Sequence, residues 1–272
     1  MNKPKIKFSK FISVQPFWKA KKIKNKIIPS DETERETAII YEILNESPVY
    51  DCVPGIGLIG IAFSQDPQAL CPICFGTLDA PKKVPLFGVK KSLLCHFLPG
   101  EFTRIFGIPC DELTNKEIPL EDLIAVGTVA EEILEAHDFE VRIALVKEFI
   151  RLAERKAKPS NTNFLTKDLM CEILQNNGDV RIKDLADKTG YSARYLQRIL
   201  IENVGLPPKV VSENIRFQYV LREMQENPQL SLTEIAHKCG FYDQSHFTRM
   251  FKEYTGISPS IFLENIKKRE LL

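Results

Sequence analysis

The 272 residues carry 37 lysines and arginines against 36 aspartates and glutamates, a formal net charge of +1, with 44% hydrophobic residues and seven cysteines. The odd number of cysteines, without regular spacing, argues against a disulfide framework and for a reducing compartment, and no apolar run reaches the length of a bilayer span. A chain of this size suggests two domains.

Residues 1–29 hold nine lysines and no acidic residue, interleaved with Phe8, Phe11, Ile12, Val14, Phe17 and Trp18. This pattern predicts a segment that packs on the N-terminal half with its lysines outward, contact with nucleic acid being the lesser reading. The opening Met1-Asn2-Lys3-Pro4-Lys5 lacks the apolar core of a secretory signal, so a cytoplasmic location is expected. Residues 37–46, rich in Ile, Tyr and Leu, read as helix or strand. From residue 50 to 100 prolines and glycines recur every few residues between short β-type runs at 56–63, 73–78, 84–89 and 92–98. They predict a small antiparallel sheet or barrel within an α+β N-terminal domain spanning 1–158. Its apolar residues, among them Phe63, Phe75, Phe87 and Phe97, line either an effector pocket or a filled core.

Cys71-Pro72-Ile73-Cys74 and Cys95-His96 offer Cys71, Cys74 and Cys95 as a weak metal or thiol-sensing set. On a strand Cys95 and His96 face opposite sides and do not serve one ion. No metal and no cofactor is therefore the main expectation. Residues 121–157 read as two helices, with Leu123, Val126, Val129, Ile133 and Leu134 and then Val141, Leu145, Phe149 and Leu152 at helical spacing. They carry more apolar face than one small domain readily buries, which points to a dimer. Residues 159–163 read as a linker, and 164–272 as an all-α domain.

That last segment contains one motif twice. Leu185-Ala186-Asp187-Lys188-Thr189-Gly190-Tyr191 is answered by Ile235-Ala236-His237-Lys238-Cys239-Gly240-Phe241, and Tyr195-Leu196-Gln197-Arg198-Ile199-Leu200 by His246-Phe247-Thr248-Arg249-Met250-Phe251. Each copy then reaches a glycine (Gly205, Gly256) and a proline three residues on (Pro208, Pro259). Gly190 and Gly240 suit a turn that needs positive φ. Ser192 and Asp243 suit N-caps, and Ser231 or Thr233 opens the third helix. Two helix-turn-helix units follow, at about 181–202 and 231–254, joined by a helix at about 208–227. Two such units in tandem place two recognition helices in adjacent stretches of a DNA major groove. Arginine and glutamine on their outer faces suit base edges.

Residues 164–270 resemble the DNA-binding domain of the AraC/XylS transcription regulators. The most specific stretch runs from Gly240-Phe241 through Ser245-His246-Phe247-Thr248-Arg249-Met250-Phe251-Lys252 to Gly256-Ile257-Ser258-Pro259, with Gly190, Ser192, Leu196, Arg198, Gly205 and Pro208 matching in the first copy. Ile199-Leu200-Ile201, where the family commonly has Phe-Lys, and Ser260-Ile261-Phe262-Leu263, where it often has Tyr-Arg, depart from the pattern. The resemblance implies that Arg194, Gln197 and Arg198, and then Gln244, Ser245, Thr248 and Arg249, contact DNA. It implies a non-enzymatic regulator with promoter DNA, a small-molecule effector and a second copy of the chain as partners, and RNA polymerase as a further one if it activates. Control by a protein partner, thiol or metal sensing, and an enzyme with an appended DNA-binding domain are the alternatives. From residue 164 onward fifteen basic residues face fourteen acidic ones, so little net charge assists DNA binding.

Overall fold

The computed structural model describes residues 22–29, 36–44, 49–53, 58–64, 71–80, 82–86, 91–125, 127–156 and 162–270. Strands β1 (Lys22–Pro29), β2 (Glu36–Leu44), β3 (Val49–Val53), β4 (Ile59–Ser64), β5 (Ile73–Phe75), β6 (Lys82–Leu86), β7 (Lys91–Phe97) and β8 (Glu117–Pro119) form two antiparallel sheets. The larger is ordered β1-β2-β7-β4-β5-β8, and β3 pairs with β6 in the smaller. The β structure therefore begins well before residue 50. β1 is the end of the lysine-rich segment, pairing with β2 as an edge strand, with Lys24 and Lys26 exposed and Ile28 buried. Charged residues of this kind blunt an open sheet edge. The remainder of that segment lies outside the described residues.

Both faces of its central strands β2, β4 and β7 are buried, so these strands are apolar almost throughout. Ala38 and Ile40 of β2, Ile59, Ile61 and Phe63 of β4, and Leu93, Cys95 and Phe97 of β7 form one core. Packed with them are α1 (Glu101–Phe106), α3 (Val129–Glu135) and α4 (Phe139–Lys156), through Phe102, Ile133, Ile143, Val146 and Phe149. A short helix α2 (Leu120–Leu123) follows β8. Beneath α4 the fully buried Arg142 donates to the Ile133 carbonyl and to Glu42 Oε1 at 3.4 Å.

The residues of the opposite face belong to a core that continues into the C-terminal half. Ile39, Tyr41, Ile43, Ala62, Leu94 and Leu98 form one cluster with Leu169 and Ile173 of α5 (Thr162–Gln175), Leu185 of α6 (Ile182–Thr189), Leu196, Ile199 and Leu200 of α7 (Ala193–Val204), and Val211 and Ile215 of α8 (Pro208–Glu226). A third cluster joins Phe217, Val220, Leu221 and Met224, further along α8, to α9 (Leu232–Lys238), α10 (Gln244–Thr255) and α11 (Pro259–Glu270). Helix α8 thus contributes to both C-terminal cores, one at each end. Each side chain buried this way contributes about 1.5–3 kcal/mol. Thr162 already opens α5, and residues 159–161 of the expected linker lie outside the described residues.

A set of hydrogen bonds joins the C-terminal end of α7 to the N-terminal half. The last carbonyls of a helix have no partner within it. Here the Asn203 carbonyl accepts from Gly100 N–H and from Cys110 Sγ, both at 3.2 Å. The Gly205 carbonyl accepts from Thr114 Oγ1 at 2.8 Å. Cys110 and Thr114 sit in and just after the 3-10 turn Cys110–Leu113.

Candidate nucleic-acid interface

The two helix pairs are built alike. The Ser192 side chain accepts from Tyr195 N–H at the start of α7, and Asp243 accepts from His246 N–H at 2.7 Å at the start of α10. Ser231, not Thr233, caps α9, in a reciprocal capping box with Glu234. Thr233 instead donates from Oγ1 to Gln244 Oε1 at 2.8 Å, tying α9 to the first residue of α10. Pro208 stands at the first position of α8, where its missing N–H costs nothing.

Leu196, Ile199 and Leu200 face inward from α7, as do Phe247 and Phe251 from α10. Arg194, Gln197 and Arg198 are exposed on α7; Gln244, Ser245 and Arg249 are exposed on α10, with Thr248 half-buried. All seven residues expected from the sequence to contact DNA therefore lie on the two second helices. Arg216 of α8 turns inward. It donates to the Gly178 carbonyl and Asp179 and lies 5.8 Å from the Phe241 ring centroid, bracing the two helix pairs through α8. Exposed aromatic residues beside this face, Tyr191 at 49% and Tyr242 at 90%, were not among the residues predicted from sequence.

The N-terminal candidates are dispersed. Phe63 and Phe97 lie in the core beneath α1 and α4. Phe75 lies on the other face, where Gly60 makes room for it; a Cβ at Gly60 would lie 2.2 Å from its ring. Phe87 lies outside the described residues. Cys74 and Cys95 both sit opposite Ile61 in the first core, while His96 points to the opposite face. Burial pushes the Cys74 thiol up to about 12 and raises that of Cys95 further, which disfavours the thiolate that metal binding and oxidation need. Cys71 is half-buried, and among the described residues no three His, Cys, Asp or Glu side chains gather as a metal site.

His96 packs edge-on against Tyr41 and Phe75, with centroids 5.6 and 5.8 Å away, and its Nδ1 has no hydrogen-bond partner among the described residues. Burial lowers its pKa from 6.5 to about 4. The unfolded chain takes up this proton first, so folding stability falls as pH drops from about 6.5 towards 4. The expected loss is roughly 3 kcal/mol over that window. Urea midpoints of the wild type and His96→Phe, compared from pH 7 to pH 4, measure it; parallel curves would refute the assignment.

A family model described as a helix-turn-helix domain matches residues 185–265. The Msm operon regulatory protein of Streptococcus mutans is 29% identical over 183 residues, 65% of this chain and 60% of that protein. The probable transcription factor PqrA of Proteus vulgaris is 35% identical over 92 residues, 34% of this chain and 75% of that protein. ToxT of Vibrio cholerae O395 matches in structure with a TM-score of 0.43 and 14% identity, over 89% of this chain and 96% of its own. The chain thus spans about three-fifths of the length of the Msm regulator and three-quarters of PqrA. With the tandem capped helix pairs in place and a relative of this identity covered over most of its length, the chain belongs to the AraC/XylS family of transcription regulators.

Proposed function

We propose that the protein is a sequence-specific transcription regulator that reads promoter DNA with α7 and α10. The observation that carries this reading is the duplication itself. Two capped helices, each backed by an apolar core, present Arg194, Gln197 and Arg198, and Gln244, Ser245, Thr248 and Arg249, to solvent. Arginine forks pair with guanine edges and glutamine amides with adenine. The near-neutral C-terminal half supplies little phosphate attraction, so affinity draws on two linked motifs and on a second protomer. Helix α4 supports a homodimer, since Val141 and Leu152 are 50% and 39% exposed on it. The N-terminal half answers a small molecule, a reading supported by the unpaired, buried His96 Nδ1 on the face opposite Cys95. As an activator the protein would also meet RNA polymerase.

Selection of bound duplexes from a random pool, followed by sequencing, tests the DNA reading. Wild type is expected to enrich one motif. Arg198→Ala combined with Arg249→Ala is expected to lower discrimination at least tenfold, each good arginine–base pair being worth about 1–3 kcal/mol. Salt-sensitive binding with no enriched motif would reject it.

A further inference from the structure

Helix α7 carries an aromatic stripe that the seven expected DNA contacts leave unused. Tyr191, just before the helix, Tyr195 and Arg198 are four and three residues apart, so they line one side of it. The Tyr191 and Tyr195 rings stack with centroids 5.1 Å apart and planes 28° from parallel. The Arg198 guanidinium lies 5.2 Å from the centroid of the Tyr195 ring. A long exposed side chain loses rotamer entropy when it docks. A guanidinium held over a ring has already lost part of it, while its N–H donors, which a π face does not consume as hydrogen bonds, stay available to a ligand.

The second copy lacks this arrangement. The residues that answer Tyr191, Tyr195 and Arg198 are Phe241, His246 and Arg249. Phe241 is buried, meets His246 edge-on at 5.5 Å and lies against Arg216. Among the described residues no ring lies over Arg249. Of two duplicated arginines, one lies over an aromatic ring in advance.

We propose that Tyr195, backed by Tyr191, is a positioning residue that orients the Arg198 fork for base reading. This rests on the reading of α7 as a base-reading helix. The full chain is titrated by fluorescence anisotropy with the duplex that wild type selects and with each of its single-base variants. Arg198→Ala locates the base pair that Arg198 reads. Tyr195→Leu is expected to lower discrimination at that same base pair about two- to fivefold, the worth of an exposed cation–π contact. Tyr195→Phe is expected to retain it, the salt dependence to stay as in wild type, and Tyr195→Leu to add nothing in the Arg198→Ala background.

Equal weakening on all sequences, shared by Tyr195→Phe and with a shallower salt dependence, would make Tyr195 a phosphate contact and overturn the proposal. So would a loss that persists when Arg198 is absent. Should Tyr195→Leu lower the melting temperature, Tyr191→Ala serves instead, because its ring is half exposed; it is expected to give a smaller loss at the same base pair, and no loss would overturn the proposal. A wild type that selects no motif removes the DNA-reading function itself, an outcome distinct from wild-type selectivity that Tyr195→Leu leaves intact.

Discussion

Phe251→Ala is expected to destabilise the α8–α11 core by about 3–5 kcal/mol, the usual cost of emptying a buried aromatic site. Phe251 is fully buried at the centre of an aromatic cluster, with ring centroids of Phe217, Phe247 and Phe262 at 5.7, 5.9 and 5.4 Å. Those rings come from α8, α10 and α11, so the cavity opens where three helices meet and cannot close by moving one of them. A urea titration followed by far-UV circular dichroism measures the loss. DNA discrimination contributed by Arg249 should fall with it, because α10 is held in place by the face that bears Phe251. A change below about 1 kcal/mol would mean that this cluster is looser than its contacts indicate.

Gly205→Ala is expected to cost about 2–5 kcal/mol, far more than the same change at Gly256. The two glycines end α7 and α10 in the same left-handed conformation, with φ of 81° and 74°. The backbone strain of an added Cβ, about 1–2 kcal/mol, is therefore common to both. Their surroundings differ. A Cβ at Gly256 meets nothing within 4 Å, whereas one at Gly205 would lie 2.5 Å from Thr77 Oγ1, 2.9 Å from Thr114 Oγ1 and 3.0 Å from the Cys110 carbonyl. The difference, an overpacking cost of about 1–3 kcal/mol, falls on the junction between the halves. Paired thermal melts of the two variants give the answer, and equal losses would show that the junction yields without resistance.

The C-terminal half was legible in the sequence because its signals are local. Caps at Ser192 and Asp243, turns at Gly190 and Gly240, proline at the head of α8 and a 3.6-residue apolar period each act within a few residues. The parity of a strand was legible too, which separated Cys95 from His96. Strand order was not, since β2 pairs with β7 and β7 with β4 across long stretches of chain. Burial on both faces erased the alternation in Glu36–Leu44 that would have marked a strand, and left it readable as helix. The lysine-rich segment read as packed with its lysines outward, but that its end is an edge strand, with Lys24 and Lys26 left in water, was not legible. Separation of Phe75 from Phe63 and Phe97 required the register between β4 and β5. Among the seven expected DNA contacts, sequence position sufficed to place six side chains outward, Thr248 being half-buried. The Tyr195–Arg198 contact was present as a three-residue spacing, but the same spacing from His246 to Arg249 places no ring over Arg249 among the described residues.

The docking of α7 by its tail bears on how such a chain can be recombined. Regulators of this architecture invite exchange of parts, one N-terminal half for another, with the cut made between α4 and α5. Here a graft at that point would strand the Asn203 carbonyl without Gly100 and Cys110, that of Gly205 without Thr114, and Leu200 without part of its cluster. A working hybrid would have to bring its own α1, 3-10 turn and matching α7 tail as one inherited block. The proposed DNA-contacting residues Arg194, Gln197 and Arg198 precede the α7 tail and take no part in these junction bonds. Under the proposed DNA reading, point substitution on the outer face of α7 leaves this junction intact, while exchange of the N-terminal half requires co-adapted segments that lie far apart in sequence.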